Sequence, residues 1–248
     1  MLLNETVAKL RELKLYAMVQ VLEQQLSSFS KNNLSLEDAI GVMVDAEWAS
    51  RKNNRQRELI RRASYAIAGA SLEDIDYRPA RKLDKALIAR LGSGNYLKEN
   101  RDITILGATG AGKSFLSCAL GMAANRQYLT VRYTRMPELL HDLALARSES
   151  AYLRTLKQYK QVKLLIIDDW LLYAINEDQA KDLLEIIEAR HKRASTILCS
   201  QTGVKGWHGF IGNSTIADAI CDRLAHNSYE ILIQGESMRK LQGIHSEG

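Results

Sequence analysis

The chain has 248 residues, of which 46% are hydrophobic and 25% are charged, the composition of a globular protein large enough to bury a substantial core. Two prolines and fifteen glycines exclude a collagen-like chain, and the absence of any run of about 18 apolar residues excludes a membrane-spanning helix. The N-terminus lacks the apolar segment of a secretory signal, and three cysteines without metal-ligand spacing do not form a disulfide framework. We therefore expect a cytoplasmic protein with one large domain, alone or with a smaller one.

The net charge of +5, from 34 basic and 29 acidic side chains, is mild but unevenly distributed. One segment carries six basic side chains around a single acid, and its basic members are Arg51, Lys52, Arg55, Arg57, Arg61 and Arg62. A second basic group follows it, made of Arg78, Arg81, Lys82 and Lys85. The near-helical spacing of the first group predicts a ridge along one or two helix faces, which favours contact with nucleic-acid phosphates. A solvated helix face is the alternative interpretation.

The first 65 or so residues indicate helices only. Apolar side chains recur at about the 3.6-residue helical period from Val7 to Leu26, so we expect one helix that ends in a polar turn at residues 28–33. Ser35 heads the sequence SLED, which is close to a capping box and predicts a second helix through about Arg62. The sequence thus predicts an all-helical N-terminal domain over residues 1–68, followed by a connector over 69–100.

From Asp102 onward, short aliphatic or β-branched runs alternate with helical patterns. The runs are DITIL, LTVRYT, KLLIID, STILCS and YEILI. They lack the clean alternation of polar and apolar residues that is typical of strands with one solvent-exposed face. The helical patterns span residues 113–126, 136–146, 177–193 and 215–226. This alternation predicts a doubly wound α/β domain with a parallel sheet over residues 101–248.

A phosphate-binding loop follows the first of these strands. The segment GATGAGKS matches G-x-x-x-x-G-K-[ST], and with the next residue it consists of Gly107, Ala108, Thr109, Gly110, Ala111, Gly112, Lys113, Ser114 and Phe115. The small residues let backbone N–H groups turn toward a phosphate, and the following helix adds its positive N-terminal end. We expect Lys113 to contact the β- and γ-phosphates of ATP and the Ser114 hydroxyl to ligate Mg²⁺.

Two acids should complete this site. Four aliphatic residues deliver Asp168 and Asp169 to the carboxyl edge of the sheet, where open α/β sheets bind ligands. We predict that Asp168 ligates Mg²⁺ with Ser114 and that Asp169 polarises the attacking water; a pair of helix-capping acids is the alternative. The strand LTVRYT between the loop and the acids suggests the class of phosphate-loop proteins with an extra strand between these motifs. Ser200 and Gln201, after the next strand, are placed to contact the γ-phosphate or its water, unless they form a surface turn.

The later segment TIADAICDRLAHNSYEILIQGESMRK, together with GATGAGKS and LLIIDDW, resembles the IstB-like AAA+ ATPases, the transposition helper proteins of a class of bacterial insertion sequences. The similarity covers nearly the whole chain and includes LRELKLYAMVQVLEQQL, EWASRKNNRQRELIRRA and SLEDIDY. DnaC-like helicase loaders and DnaA-like initiators are wider relatives. The resemblance implies an AAA+ ATPase fold, ATP hydrolysis with Mg²⁺ and assembly into a homo-oligomer. It also implies binding of duplex DNA without sequence specificity and stimulation of a partner transposase during DNA transposition and recombination.

The resemblance also assigns residues. Arg223 matches an arginine finger that reaches the γ-phosphate held by a neighbouring subunit, and Arg239 matches the sensor-2 arginine that contacts phosphate in cis. Gln201 occupies the sensor-1 position, and the connector residues Ile75 and Tyr77 correspond to a segment near the adenine. The loop ends in Gly-Lys-Ser where the family often has Gly-Lys-Thr. Only nine residues follow Arg239, which implies little or no helical lid.

Two other functions are compatible with parts of this pattern. A helicase loader would use the same fold and ATP chemistry but bind a replicative helicase through its N-terminal helices. A small-molecule phosphotransferase would use the phosphate loop alone, and the paired acids and late arginines argue against it.

Overall fold

A computed structural model of the chain describes residues 2–31, 35–225, 227–235 and 237. The strands are β1 (Asp102–Gly107), β2 (Val131–Arg135), β3 (Leu164–Trp170), β4 (Ser195–Ser200) and β5 (Ser228–Ile233). The α-helices are α1 (Leu2–Glu12), α2 (Tyr16–Lys31), α3 (Leu36–Ala63), α4 (Lys85–Gly92), α5 (Asn95–Lys98), α6 (Lys113–Arg126), α7 (Met136–Ser148), α8 (Tyr152–Gln161), α9 (Glu177–Arg190), α10 (Val204–Trp207) and α11 (Ser214–Ala225). None of the helices in these ranges combines the length and the apolar character needed to cross a membrane.

The five strands form one parallel sheet in the order β2-β3-β4-β1-β5. Every residue of β1 and β4 is buried, which explains why these segments lack the alternation of polar and apolar residues seen in strands with one solvent-exposed face. Alternate side chains of β3 enter two different cores: Leu164 and Ile166 pack with α6, and Leu165 and Ile167 pack with α7 and α9. The predicted doubly wound parallel sheet is therefore confirmed.

The strand order separates the phosphate loop from the acids. The loop follows β1 and the acids end β3, and β4 lies hydrogen-bonded between these two strands. The strand β2, which lies between them along the chain, pairs with the far side of β3. An extra strand therefore separates the two motifs in space, as the sequence order suggested.

The N-terminal segment contains two helices where the apolar period predicted one. α1 ends at Glu12 and α2 begins at Tyr16, and Lys14 between them has a left-handed φ of 59°. The Leu15 N–H donates to Leu10 O and the Lys14 N–H donates to Arg11 O, both at 2.9 Å, which is the Schellman arrangement. The prediction was wrong here because this C-terminal signal is usually a glycine, and lysine takes the position instead. The predicted turn at 28–33 lies partly in α2, and residues 32–34 are outside the described ranges.

The second predicted helix is confirmed as α3. The Asp38 N–H donates to Ser35 Oγ at 3.1 Å, and Ser35 Oγ donates to the Asp38 carboxylate at 2.6 Å, so the cap forms as the sequence predicts. Inside α3 the chain divides into two compact units, Met1–Glu58 and Leu59–Gly248. The limits at residues 68 and 100 that the sequence suggests both lie within the second unit and stay a prediction about domains.

Much of the predicted connector belongs to the core beside β1. Ile88, Leu91, Tyr96 and Leu97 are 1–2% exposed and pack with the apolar side chains of β1 and α6. Asp84 caps α4 by accepting from two backbone N–H groups. The helices α4 and α5 were not predicted, since each is too short for the 3.6-residue recurrence of apolar side chains to be recognised.

Candidate nucleotide-binding site

The segment between β1 and α6 requires glycine at two positions. A Cβ at Gly107 would lie 2.7 Å from the backbone O of Ile233 on the neighbouring strand β5. Gly112 has a φ of +98°, a conformation that costs a side-chain-bearing residue free energy. The backbone can thus make the tight turn directly at the start of α6, where the positive end of the helix faces the loop.

Lys113 is the first residue of α6 and is only 8% exposed. Its Nζ donates to the carbonyl oxygens of Gly107 at 2.8 Å and Ala108 at 2.9 Å, so the ammonium closes over the loop that precedes it. A buried ammonium needs such partners, and a phosphate oxygen could exchange with them because it is a charged acceptor.

The loop opens into a cavity of about 470 Å³. Its walls are formed by Ile67, Asp74, Ile75, Asp76, Arg81, Leu83, Thr109, Gly110, Gly112, Lys113, Ser114, Phe115, Leu116, Asp168, Asp169, Gln201 and Ile233. The polar members come from the loop and the start of α6, from the ends of β3 and β4, and from the connector, and the apolar ones come from the connector and the segment just before it, from α6 and from β5. This size and this combination of charged and apolar surface suit a nucleoside phosphate.

Asp168 is held in place before any ligand arrives. Its carboxylate is 4% exposed and accepts the Tyr133 hydroxyl at 2.7 Å and the Asp169 N–H at 2.9 Å. Burial and the Asp168 charge raise the pKa of Tyr133, so the phenol remains a neutral donor. Tyr133 was not named from the sequence, although its place in β2 beside β3 follows from the parallel register.

The chemistry of Ser114 and Asp168 fits the ligands of a magnesium ion. Both line the cavity, one with a hydroxyl and the other with an anchored carboxylate. Within the described ranges no cluster of three or more His, Cys, Asp or Glu side chains could hold a metal by itself. Magnesium sites of this kind need only one or two carboxylates, because phosphate oxygens and waters supply the remaining ligands.

Asp169 reaches the same cavity through an irregular strand end. Successive side chains of a regular strand point to opposite faces, so Asp168 and Asp169 would normally diverge. The pairing of β3 with β4 shifts register between Ile167 and Trp170, and Asp169 has a φ of 53°. This irregularity turns both acids toward the cavity, as bulges beside functional sites often do.

Asp169 forms an ion pair with Arg135 at the end of β2. Both Nε and Nη2 of Arg135 lie 2.7 Å from Asp169 Oδ2. The hydrogen bond and charge of Asp169 raise the pKa of Arg135. The sequence analysis missed this arginine, yet its position at the end of a strand neighbouring β3 was the available signal.

Gln201 lies between the loop and the acids because it follows β4, the strand between β1 and β3. It lines the cavity, as the sequence predicted. Ser200 does not, because its side chain is 1% exposed, donates to Trp170 O at 3.1 Å and accepts the Trp207 indole N–H at 3.3 Å. The suggestion that Ser200 contacts phosphate was therefore wrong, since the last residue of β4 faces the core.

Several other predicted residues in the described ranges do not line the cavity. Gly107, Ala108 and Ala111 belong to the loop but offer carbonyl oxygens to Lys113 and Arg81 rather than surface to the cavity. Arg223 on α11 donates to Ala219 O at 2.8 Å and pairs with Glu188 on α9 at 2.6 Å. Arg239 and the predicted absence of a lid fall outside the described residues.

All six basic residues of the first group lie on α3. Arg51, Arg55, Arg57, Arg61 and Arg62 are exposed, and Lys52 is half-buried with its Nζ 3.6 Å from the Trp48 ring centre. Arg51 also pairs with Glu47 at 2.8 Å. The six residues therefore share one helix, and their contact with DNA stays a prediction.

The whole chain resembles proteins of bacterial insertion sequences. The profile of a family described as IstB-like ATP binding protein matches residues 8–246. The chain belongs to this family. An insertion-sequence ATP-binding protein of Sinorhizobium fredii is 40% identical over 98% of this chain and 98% of its own length. The family match confirms the resemblance found in the sequence. It identifies the chain as a member of a family of ATP-binding proteins.

Solved structures of lower sequence identity confirm the AAA+ phosphate-loop fold of this IstB-like protein. AMPPCP-bound DnaA from Aquifex aeolicus has a TM-score of 0.60 at 18% identity, over 74% of this chain and 56% of that one. The DnaC helicase loader has a TM-score of 0.57 at 16% identity, over 67% of this chain and 98% of that one. At these identities the likeness shows the fold alone.

Proposed function

We propose that this chain hydrolyses ATP, assembles into a homo-oligomer on duplex DNA and stimulates a partner transposase at the target. The observation that carries the proposal is one cavity lined by Lys113, Ser114, Asp168, Asp169 and Gln201, in a family of insertion-sequence ATP-binding proteins. Two of the five side chains begin α6, two lie near the end of β3 and one follows β4. Together they would supply the cation, the metal ligands and the polar groups that phosphoryl transfer to water requires.

Each side chain has a distinct part in this reaction. Lys113 would exchange its loop carbonyl partners for β- and γ-phosphate oxygens and stabilise the charge that develops there. Magnesium, when bound with ATP by Ser114 and Asp168, would neutralise charge on the same phosphates. Asp169, once free of Arg135, could accept a hydrogen bond from the attacking water, and Gln201 could orient that water or the γ-phosphate.

Arg223 supports hydrolysis between subunits. It lies on α11 and does not line the cavity of its own chain, so a contact with ATP requires a neighbouring copy. Loss of the γ-phosphate held by Lys113 of one subunit and Arg223 of the next would weaken the assembly. The sensor-2 role of Arg239 belongs to the same proposal.

The basic ridge on α3 supports binding to DNA. Exposed arginines without interleaved aromatic side chains suit phosphate contacts, which carry no sequence information. A cytoplasmic location, where chromosomal targets are accessible, is part of the proposal. The likeness to DnaC leaves a helicase loader as the alternative, since the two functions share the fold.

Gel filtration and phosphate release, each with ATP and duplex DNA, test the assembly. Lys113→Ala should lose ATP binding, and Arg223→Ala should retain it but lose hydrolysis by about 10³-fold or more, the usual worth of an arginine supplied in trans. Arg193→Ala, an exposed arginine just after α9, is the matched control and should behave as the parent. An Arg223→Ala variant that assembles and hydrolyses like the parent would contradict the intersubunit role.

DNA binding is tested by charge reversal on the ridge. Arg55→Glu should weaken binding to all duplex sequences alike and flatten its dependence on salt, because a phosphate contact is lost. Lys181→Glu on α9, whose lysine pairs with Glu177 at 2.8 Å, is the control. Capture of a replicative helicase, but not of the transposase, would favour the loader.

A further inference from the structure

Arg81 reaches the phosphate loop from the connector and lines the same cavity. It ends the 3₁₀ turn Pro79–Arg81, and its side chain is only 11% exposed. Its Nη2 donates to the carbonyl oxygen of Ala111 at 2.6 Å, and its Nη1 lies 3.7 Å from Asp76 Oδ2. Its own carbonyl oxygen accepts the Gln234 N–H at 3.2 Å, so its backbone is tied to the segment that follows β5.

The carbonyl that Arg81 binds belongs to the same peptide unit as the N–H of Gly112. In a trans peptide the C=O and N–H bonds point in opposite directions, and the unit is planar. An arginine that holds the Ala111 carbonyl therefore also fixes the direction of the Gly112 N–H, which points away from the guanidinium. Backbone N–H groups of such a loop cradle the α- and β-phosphates, so the orientation of this peptide matters for binding.

We propose that Arg81 is a positioning residue of the nucleotide site, which orients the Ala111–Gly112 peptide for binding the phosphates common to ATP and ADP. The inference rests on the ATP binding of this family and deepens the function proposed above. Arg81 acts on the loop, whereas Lys113 acts on the phosphates themselves.

The absence of a side chain at residue 112 also supports this role. A Cβ there would lie 2.8 Å from Arg81 Nη2, so the guanidinium occupies space that only glycine leaves open. Asp76 is ready to hold the guanidinium from the other side, because its hydrogen bonds with Arg78 and the nearby charge of Arg81 keep the pKa of its carboxyl below the usual range. A carboxylate on one side and a loop carbonyl on the other determine where the fork of Arg81 can lie.

Arg78 is the matched control. It lies three residues earlier in the connector, pairs with the same Asp76 at 2.7 Å and is 57% exposed at its side chain. Arg78 is not among the residues that line the cavity, so its removal takes away a similar charge without removing a side chain from the cavity wall.

The test measures the affinity of the full chain for fluorescent analogues of ATP and ADP. Arg81→Ala should weaken both by about tenfold or more, and by the same factor, because a charge-assisted hydrogen bond to the loop is lost. Arg78→Ala should change neither affinity by more than about twofold, because Arg78 does not line the cavity and the exposed ion pair that is lost contributes little. Arg81→Lys, which keeps one charged donor, should recover part of the loss for both nucleotides.

Three results would overturn the inference. Equal effects of Arg78→Ala and Arg81→Ala would assign the loss to general charge, and a larger loss for ATP than for ADP would indicate direct contact with the γ-phosphate. Unchanged affinities in Arg81→Ala would remove the role altogether. If Arg81→Ala does not fold, Arg81→Gln replaces it in the same comparison of nucleotide affinities. Thermal unfolding without nucleotide checks that the variant is folded. A parent chain that binds neither nucleotide would refute the proposed function itself.

Discussion

The ion pair between Arg135 and Asp169 should restrain hydrolysis, so its removal should raise the basal rate. In the proposed reaction Asp169 polarises water only when its carboxylate is free, and Arg135 occupies Oδ2 through two nitrogens at 2.7 Å. The Arg135 side chain is 50% exposed and the Asp169 side chain 26%, which limits the pair to about 0.5–1 kcal/mol. Since about 1.4 kcal/mol corresponds to tenfold, Arg135→Ala should accelerate hydrolysis by about two- to fivefold.

The assay is steady-state phosphate release at saturating ATP and a fixed protein concentration. Arg135→Lys serves as a partial control because it keeps the charge but lacks the fork. Asp169→Asn should abolish the effect of Arg135→Ala, since the restrained group is then absent. A slower Arg135→Ala variant with unchanged ATP affinity would refute the reasoning and show that the pair orients Asp169 for reaction. A large fall in ATP affinity would instead place Arg135 on the nucleotide.

Three further predictions follow from buried or paired groups. Tyr133→Phe removes the donor to buried Asp168 and should lower the free energy of unfolding in urea by about 1–3 kcal/mol. Glu188→Gln loosens the 2.6 Å contact with Arg223 and should lower the protein concentration for half-maximal phosphate release by about two- to fivefold. Burial raises the pKa of Asp102 from 3.8 to about 7, so the folded state binds the extra proton and stability should fall as pH rises between these values, by up to about 4 kcal/mol. Asp102→Asn should remove this pH dependence in thermal unfolding.

Each of these three predictions would be contradicted by a specific result. Equal urea midpoints for the parent and Tyr133→Phe would mean that water replaces the phenol at Asp168. An unchanged concentration dependence in Glu188→Gln would mean that Arg223 does not work through a second copy. The Thr196 N–H donates to Asp102 Oδ1 at 2.6 Å, a contact that asparagine can keep, so equal pH profiles would indicate that Asp102 is ionised in the folded state.

The helices that were not predicted show that only short, local sequence signals could be recognised. α3 and α6 carry a cap or a loop motif and begin where the sequence indicates. α8 has a strongly polar exposed face and buries only Leu156 and Tyr159, so its apolar pattern is too sparse to stand out. The break after α1 occurs at Lys14, which has a left-handed conformation. Lysine is not a common turn residue, so no signal in the sequence marks the break.

The sequence alone determined the phosphate loop, the acid pair and the parallel sheet, because each is encoded by neighbours along the chain. Aliphatic runs buried on both faces give parallel strands, and the carboxyl ends of parallel strands must share one edge. Only the tertiary structure decided what restrains these groups. Arg81 meets Ala111 across 30 residues, Tyr133 meets Asp168 across 35, and Arg135 meets Asp169 across 34. Such contacts depend on how strands and turns pack in space, which no periodicity or short motif records.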